Sequence, residues 1–442
     1  MSWLDEHPEI RNVRLGTADL NGQPRGKRVP IRFARDAEEE GTRFPLSVLN
    51  LDIWGEDVED SPLVFEIGDP DGVLMPTERG YVPMPWLSTP SAFLPMWMFN
   101  EDGTPFDGDP RHALARVVER YAALGLTPVV ATEMEFYLVD DSGSEIRQPA
   151  SPRSGKRRPG AEILSLRALD AFDGFFSDLY DALEAMEIPA EAASSEVGLG
   201  QFEINLSHVP DALRAADDAW LFKTLVRGLA RNHGFAASFM AKPYEDYAGN
   251  GLHMHFSVLD RDGNNAFANG TFEGTELLHH AIAGCLRGIN KLALVFAPHA
   301  NSYDRLVPES HAPTGICWAY ENRTASIRVP GGSFAARRIE HRVAGGDVNP
   351  YLFIAAVLGS ALVGIEDRLM PPPPIEGNAY EQDLEQIPDT WEQAIETFDS
   401  PFVRRIFPQL LIDNLIATKR QEARYMQELT PRQQLDLYLD TV

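Results

Sequence analysis

The amino-acid sequence predicts an α+β protein built from two domains. Residues 1–104 are strand-like and rich in proline, and helical periodicity is weak there after the first ten residues. From residue 105 onward, amphipathic helices alternate with strands in which apolar and polar residues alternate singly. We therefore predict an N-terminal domain over residues 1–104 and a larger C-terminal domain over residues 105–442.

The helix that opens the second domain has recognisable end signals. Asp109 suits an N-cap, and Pro110 fits the first helical turn. Gly125 can end the helix. Between them lies an apolar stripe at helical spacing, made of Leu114, Val117, Val118, Tyr121 and Leu124.

Further helices are predicted downstream. Amphipathic patterns predict helices over residues 170–186 and 217–234, and a helical tail over about 350–365 and again over about 388–430. The longest apolar run, Tyr351 to Ile365, is shorter than the roughly 20 residues that a membrane span needs.

The composition narrows the class of function. The chain carries 39 basic and 66 acidic side chains, a net charge of −27, which disfavours nucleic-acid and anionic-membrane binding. Cys285 and Cys317 are the only cysteines and form no CxxC pair, so neither a zinc ribbon nor a disulfide scaffold is expected. The opening "MSWLDEHPEIRNV" lacks the apolar core of a signal peptide. We expect a soluble cytoplasmic protein.

Four segments of the second domain share one design. In "TPVVATEMEFYLV", "SSEVGLGQFEINLS", "GNGLHMHFSVLD" and "ARRIEHRVAGGDVNPY", an apolar back alternates with a polar front. Glu196 lies just before the second strand, beyond a Gly198/Gly200 turn. The front-face residues are Glu133, Glu135, Gln201, Glu203, Asn205, His253, His255, Arg338, Glu340 and Arg342.

Each strand alone fits a solvated sheet face, and a histidine pair alone is more often structural than metal-binding. Together with Glu196, the four front-face carboxylates would repel one another unless cations neutralised them. Carboxylates with one imidazole suit Mg²⁺ or Mn²⁺ better than zinc. Five acids exceed the needs of one ion, so we predict a cluster of two or three.

Arginines form the second half of the predicted site. Five candidates lie within residues 305–342, and guanidinium groups bind phosphate and carboxylate in bidentate fashion. Acids for metals and arginines for oxyanions suit phosphoryl transfer from a metal-bound nucleotide. There is no Walker-A or GxGxxG sequence, so metals and arginines would hold the nucleotide. The arginines are Arg305, Arg323, Arg328, Arg338 and Arg342.

These segments, in this order, resemble the glutamine synthetase family. The matching strings are "EMEF", "EVGLGQFEIN", "MAKPYEDYAGNGLHMH", "NSYDRLVP", "ENRTASIRVP" and "RRIEHR…NPYL", over about 130–365. The resemblance implies an N-terminal β-grasp domain and a C-terminal catalytic domain with a curved antiparallel sheet flanked by helices. It also implies rings of six subunits, possibly two stacked, with active sites at subunit junctions.

The resemblance implies roles by position. The first metal would be held by Glu135, Glu196 and Glu203, and the second by Glu133, His253 and Glu340. Phosphate would be handled by Arg323, Arg328 and Arg338, with His255 near the nucleotide phosphates. Glutamate would be clamped by Arg305, Arg342 and the Gly249 backbone. The implied reaction has two steps: ATP phosphorylates the γ-carboxylate of glutamate, and an amine then displaces the phosphate to form a γ-amide.

The sequence departs from the family at the ammonium site. Relatives use an Asp in a DGSS-type loop and a Glu six residues after the arginine of "RLVP". Here the N-terminal loop reads "FPLSVLNLDIWGEDVED", and the sixth position after Arg305 is His311. A neutral imidazole cannot supply a negative pocket for ammonium, but it can accept a proton from a bulkier amine.

We therefore predict an organic mono- or polyamine as the nucleophile. The segment "LDIWGEDVEDSPLVFEIGDPDG" resembles the branch that includes γ-glutamylpolyamine synthetases. Two alternatives remain: an ammonia-using glutamine synthetase in which Glu309 or Asp52 replaces the missing acids, and a non-catalytic relative. Tyr380 lies near the position where some relatives carry an adenylylated tyrosine, but its neighbours differ, so we expect no such control.

Overall fold

The computed structural model describes residues 2–143, 145–157, 160 and 162–442. Across these residues the chain forms two β-sheets surrounded by helices, as the predicted α+β class requires. The strands are β1 (Asn12–Ala18), β2 (Pro24–Pro30), β3 (Thr42–Pro45), β4 (Asp71–Pro76), β5 (Val82–Pro83), β6 (Ser91–Phe99), β7 (Thr127–Val139), β8 (Ala190–Ser195), β9 (Gln201–Leu206), β10 (Ala236–Ser238), β11 (Leu252–Leu259), β12 (Trp318–Tyr320), β13 (Ile327–Val329) and β14 (Ile339–His341). The helices are α1 (Trp3–Glu6), α2 (Ile31–Glu40), α3 (Pro62–Phe65), α4 (Pro110–Ala123), α5 (Leu166–Asp170), α6 (Asp173–Ala185), α7 (Ala212–Asn232), α8 (Glu276–Ile289), α9 (Ala293–Phe296), α10 (Ser302–Arg305), α11 (Pro350–Asp367), α12 (Trp391–Phe398), α13 (Gln409–Met426) and α14 (Pro431–Thr441).

The first sheet is mixed and lies within residues 12–99. Its strands run in the order β2-β1-β6-β4-β3, with β5 paired to β6. The β1–β6 pair is parallel and the others are antiparallel. The helix α2 packs against β1 and β4, and a helix on one face of a mixed sheet agrees with the predicted β-grasp arrangement.

The second sheet carries the four segments identified from the sequence. Its order is β12-β13-β14-β11-β7-β9-β8, with β10 paired to β7. Every pair is antiparallel except β12–β13, so the sheet that the sequence predicts as antiparallel is mixed at this edge. Between β12 and β13 the chain turns at Glu321, which has a positive φ, and again at Asn322, whose Oδ1 accepts from Thr324 N. After these two turns β13 runs parallel to β12.

The helices follow their local signals. The Asp109 carboxylate caps α4 by accepting from the backbone N of Arg111 and His112, at 2.7 and 3.3 Å. The predicted helices over 170–186 and 217–234 appear as α6 and α7, and α7 begins earlier because Asp211 caps it. The predicted tail over 388–430 is instead two helices with a break before Pro408, since proline cannot continue a helix.

The helix α11 is long and apolar enough to cross a membrane, but 89% of its apolar window is buried in the protein. It packs against α8, α4 and α7, and is therefore a central helix of the core beside the second sheet.

The first sheet has a hydrophobic core of its own, which includes Val13, Leu15 and Leu94. Apolar contacts also join the two sheets, because Val82 and Phe93 of the first sheet belong to the core around the second. Polar contacts also cross between them. Trp220 Nε1 donates to Gly22 O at 2.8 Å, and the buried Lys419–Glu422 ion pair bonds to Asn21 from both sides. The domain boundary near residue 105, between β6 and α4, stays a prediction.

Candidate active site

The register of four neighbouring strands collects the polar fronts into one surface. His253 on β11 lies opposite Glu133 on β7, and Glu135 lies opposite Glu203 on β9. His255 lies opposite Glu340 on β14. Because all of these residues alternate with buried apolar neighbours, the side chains face the same side of the sheet.

Glu133 lies between the two histidines. Its Oε2 is 3.1 Å from His253 Nδ1, and its Oε1 is 2.9 Å from His255 Nε2. Burial alone would raise the pKa of Glu133, but the hydrogen bonds from the two imidazoles outweigh it and hold the pKa far below the usual range. Glu133 is therefore an anion at neutral pH.

The hydrogen-bond partners of His255 determine which ring nitrogen carries the proton. Arg338 Nε donates to Nδ1 of His255 at 3.2 Å, and an arginine can only donate. Nδ1 must then be the acceptor, so the proton lies on Nε2 and points at Glu133. Arg338, His255 and Glu133 form a chain of two directed hydrogen bonds.

Glu340 lies between two of the predicted anion-binding arginines. Its Oε2 accepts from Arg328 Nη1 at 2.6 Å, and its Oε1 accepts from Arg342. Burial would raise the pKa of Glu340, but Arg342, the nearby histidines and Arg328 lower it to about 2. In this state of the protein, both guanidinium groups are paired with a carboxylate of the site itself.

Two carboxylates of the site lack cationic partners of this kind. Burial and the charges of Glu133, Glu135 and Glu196 raise the pKa of Glu203 to about 9. Burial and Glu135 likewise raise the pKa of Glu196 to about 7, although Ser194 Oγ donates to it at 3.1 Å. Acids crowded in this way favour a bound cation, because a cation relieves their repulsion.

Glu135 is oriented by a neighbouring loop. Gly251 N donates to its Oε2 at 2.7 Å, and Gln201 Nε2 lies 3.3 Å away. The same Gln201 amide donates to Gly249 O at 3.0 Å and to Asn250 Oδ1 at 3.1 Å. Gln201 therefore joins a predicted metal ligand to the loop that holds Gly249.

Gly249 permits the close approach of a buried arginine. A Cβ at this position would lie 2.2 Å from Ala241 O and 2.9 Å from Arg305 Cγ. Arg305 itself is buried, and its Nη1 donates to Val343 O at 2.7 Å. The backbone around Gly249 and the side chain of Arg305 thus lie in contact, and their role as a carboxylate clamp stays a prediction.

His311 lies on an exposed turn that follows Arg305. Both Glu309 and His311 have positive φ, 64° and 65°, which is uncommon for residues other than glycine. Ser310 Oγ donates to Arg305 O at 2.8 Å, which folds the turn back over the arginine. The turn that carries His311 is thereby bonded to the backbone of Arg305, a residue of the predicted glutamate clamp.

Asp52, the other candidate acid, is fully buried. Its Oδ1 accepts from the backbone N of Trp54 and Glu56, each at 3.0 Å, and its Oδ2 accepts from Gln421 Nε2 at 2.8 Å. With these three donors satisfied inside the chain, Asp52 acts here as a structural acceptor.

Comparison with known proteins gives the family. Residues 107–438 match the glutamine synthetase catalytic domain. The chain is 36% identical to γ-glutamylputrescine synthetase of Escherichia coli, over 99% of this chain and 93% of that protein. The chain belongs to the glutamine synthetase family.

Two further relatives agree with the membership that the sequence predicts. Glutamate–isopropylamine ligase of a Pseudomonas species is 32% identical over 100% of this chain and 97% of its own length. A solved structure of GmaS with ADP has a TM-score of 0.83 and 27% identity, over 97% of this chain and 96% of that one. The glutamine synthetase-like fold predicted from the sequence is thereby confirmed.

The donor set fits the divalent cations that the glutamine synthetase family uses. In the part of the chain that the structure describes, two groups bring their ligand atoms within 4.8 Å of one another: Glu133, Glu203 and His253, and Glu133, His255 and Glu340. They include four of the six predicted metal ligands. The other two, Glu135 and Glu196, lie outside these groups, and their charges raise the pKa of Glu203.

The remaining predicted anion-binding residues lie at the rim. Arg323 is exposed on the turn before β13, close enough for its charge to lower the pKa of Glu196 against the effect of burial. Arg338 is half-buried beside His255.

Two residues at this site, Gln201 and His208, have no role predicted from the sequence. Gln201 shares the polar face with Glu203, so periodicity places it correctly, but its bonds to the Gly249 loop depend on tertiary contacts. His208, whose ring centroid is 6.2 Å from that of His255, follows the end of β9 and has no periodic signal.

Proposed function

We propose that this protein is an ATP-dependent ligase that joins the γ-carboxylate of L-glutamate to an organic mono- or polyamine through a γ-glutamyl phosphate. The prediction of a carbon–nitrogen ligase agrees with the relatives, two of which are named for putrescine and isopropylamine. The observation that favours an organic amine is His311, exposed beside Arg305 at the position where family members that use ammonium carry a glutamate.

The chain's own groups would prepare the two reactants for phosphoryl transfer. Arg305, Arg342 and the Gly249 backbone would hold glutamate, and Arg323, Arg328 and Arg338 would bind the phosphates of ATP. Arg328 and Arg342 share Glu340 in the present structure, and the incoming anions would give both arginines new partners.

Mg²⁺ or Mn²⁺, two or three ions per site, is the proposed cofactor. We assign Glu135, Glu196 and Glu203 to the first ion and Glu133, His253 and Glu340 to the second. Bound ions supply charge neutralisation where phosphates meet a carboxylate. The Arg338 bond to His255 supports the choice of His253, because an imidazole that accepts at Nδ1 cannot also bind a cation through a protonated Nε2.

The amine step would use the exposed turn. His311 would accept the proton that the amine nitrogen loses as it attacks the acyl phosphate. Phosphate then leaves, and the product is a γ-glutamyl amide.

An ammonia-using glutamine synthetase is the alternative. It depends on Glu309, since Asp52 is buried and fully bonded. The deciding experiment measures phosphate release with ATP, glutamate and a panel of ammonia, short alkylamines, aromatic amines, putrescine and spermidine. We expect an organic amine to give the highest kcat/KM; if ammonia exceeded every organic amine, the amine assignment would be wrong.

A non-catalytic relative is the third possibility. Methionine sulfoximine with ATP and Mg²⁺ tests it, since an active enzyme of this family phosphorylates and traps that inhibitor. Absence of both trapping and phosphate release would favour the non-catalytic reading.

We also propose a cytoplasmic homo-oligomer, a ring of six subunits or two stacked rings. Ile163, Leu164 and Leu166 support it, because they are 59%, 72% and 75% exposed and Leu164 N donates to Ser195 O next to Glu196. Light scattering after size exclusion gives the subunit number, and a monomeric mass would contradict a ring.

A further inference from the structure

The segment of residues 377–387, here called the strut, runs beside two loops of the site. At one end it meets the turn of residues 306–312, which carries His311. Three hydrogen bonds join the strut to this turn and the chain after it: Tyr380 OH to Ala312 O at 2.7 Å, Ile387 N to Thr314 O at 2.8 Å, and Ile316 N to Glu385 O at 2.7 Å.

The end of the strut that holds Tyr380 also meets the turn that carries Arg323. Asn322 Nδ2 donates to Gly377 O at 2.6 Å, and Ala379 N donates to Thr324 Oγ1 at 3.0 Å. Beneath these bonds, Ala379 is buried in a small apolar cluster with Cys317, Ala319 and Ala325. The strut is therefore fixed to the body of the sheet and is not a free loop.

Tyr380 bonds to the turn that carries His311 from outside that turn. Two residues with positive φ, Glu309 and His311, store backbone strain, and such strain persists only where the surroundings hold it. Within the turn, Ser310 bonds to Arg305 O and accepts from Ala312 N. From outside the turn, the Tyr380 hydroxyl holds the carbonyl of Ala312, one residue after His311.

We infer that Tyr380 is a positioning residue for the amine step. Its hydroxyl fixes the turn that presents His311, while the same strut fixes the turn that presents Arg323. One segment thereby sets the distance between the group that would receive the amine proton and a group that would bind phosphate. The inference rests on the proposed function, because it gives Tyr380 its role through His311.

Tyr380→Phe tests the inference, since it removes one hydroxyl and keeps the ring. The amine step is measured as KM for the best amine, and the phosphorylation step as positional isotope exchange in ATP with glutamate and no amine. We expect the amine KM to rise roughly five- to ten-fold, the loss of one hydrogen bond, while isotope exchange and the KM for glutamate stay within about two-fold.

Tyr320→Phe is the matched control. The Tyr320 hydroxyl also donates to a backbone carbonyl, Glu273 O at 3.1 Å, and among the described residues it makes no hydrogen bond to the strut or to the turn that carries His311. Its amine KM should equal that of the wild type. Thr324→Val provides a second variant, because it cuts the bond from Ala379 N, the residue before Tyr380, and it should raise the amine KM in the same direction.

The outcomes separate the inference from the function on which it rests. A wild-type protein that neither exchanges isotope nor ligates an amine refutes the proposed function, and Tyr380 then has no such role. A wild-type protein that ligates amines, with an unchanged amine KM in Tyr380→Phe, refutes the inference alone. Equal losses of isotope exchange and amine affinity would indicate general structural damage and also refute it.

Discussion

Arg338 and His255 are joined by a hydrogen bond of 3.2 Å in which Nε of the arginine donates to Nδ1 of the imidazole. The bond fixes the tautomer of His255 and directs its Nε2 proton to Glu133, 2.9 Å away. His253, two residues earlier on the same strand, makes no such bond to an arginine among the described residues, so two histidines of one strand face have different chemistry.

Arg338→Gln should therefore weaken ATP use. The variant loses the guanidinium that orients His255 and that would bind phosphate, and we expect kcat/KM for ATP to fall roughly ten-fold or more. Steady-state kinetics at varied ATP measure this. Arg404→Gln is the control, since Arg404 pairs with Asp399 on the exposed surface and such pairs contribute little. An unchanged ATP dependence in Arg338→Gln would contradict the assignment.

The stability of the metal-depleted protein should fall as the pH rises. The pKa of Glu203 is raised from its usual 4.5 to about 9, so the folded protein keeps a proton that the unfolded chain releases across this range. Glu340, with its pKa lowered to about 2, acts in the opposite sense but only below pH 4.5. Thermal unfolding in EDTA should show Tm decreasing between pH 6 and pH 9, by about 3 °C or more.

Divalent cations should reverse this trend. Mg²⁺ or Mn²⁺ binds the deprotonated carboxylates, so the Tm gained on adding either ion should be larger near pH 8.5 than near pH 6. Glu203→Gln is the control, because it removes the titrating group and should flatten the pH dependence in EDTA. The same slope in the variant and the wild type would show that another group titrates.

Substitution of His311 should change the amine preference. His311→Ala removes the proposed proton acceptor, and kcat for the best organic amine should fall roughly 100-fold, the scale of general-base catalysis. His311→Glu returns a carboxylate to this position and should raise the ratio of kcat/KM for ammonia to that for the organic amine. The two substrates are compared by phosphate release in each variant. If the amine preference were unchanged in both variants, His311 would not be the proton acceptor, and Glu309 would be the alternative.

Gly249→Ala should impair glutamate binding. The added methyl would lie 2.2 Å from Ala241 O, a backbone atom, so the loop and the adjoining Arg305 must move. We expect the KM for glutamate to rise roughly ten-fold or more, with a smaller change for ATP. Gly174→Ala is the control, because its Cβ would meet only His233 Cε1 at 3.7 Å in an ordinary helical position. Wild-type glutamate kinetics in Gly249→Ala would refute the role of this loop.

Periodicity predicts the active-site face because it is a local property. Single alternation along each strand identifies Glu133, Glu203 and Glu340 as members of a polar front before any pairing is known. Register is not local: β11 and β7 are separated by more than a hundred residues, and whether His253 meets Glu133 depends on how the whole sheet assembles. The sequence therefore indicates which residues form the site, but not which of them touch.

Contacts between side chains that are distant in sequence cannot be predicted from local periodicity either. The shared Glu340 partner of Arg328 and Arg342 follows from the antiparallel pairing of β13 with β14, which alternation along either strand does not reveal. The Tyr380 hydroxyl donates to the carbonyl of Ala312, 68 residues earlier, and no sequence spacing predicts that contact. Tertiary packing determines these contacts.

The buried Lys419–Glu422 pair, satisfied on both sides by Asn21, has a consequence for protein engineering. A fragment that begins near residue 105 would lack Asn21, which bonds to this ion pair, and Gly22, which accepts from the indole of Trp220. We expect such a fragment of the catalytic domain to aggregate. A chimera that takes its amino-terminal sheet from a homologue would need an asparagine at the position of Asn21 to bond to this pair. The two sheets can therefore be exchanged only together or with matched contacts.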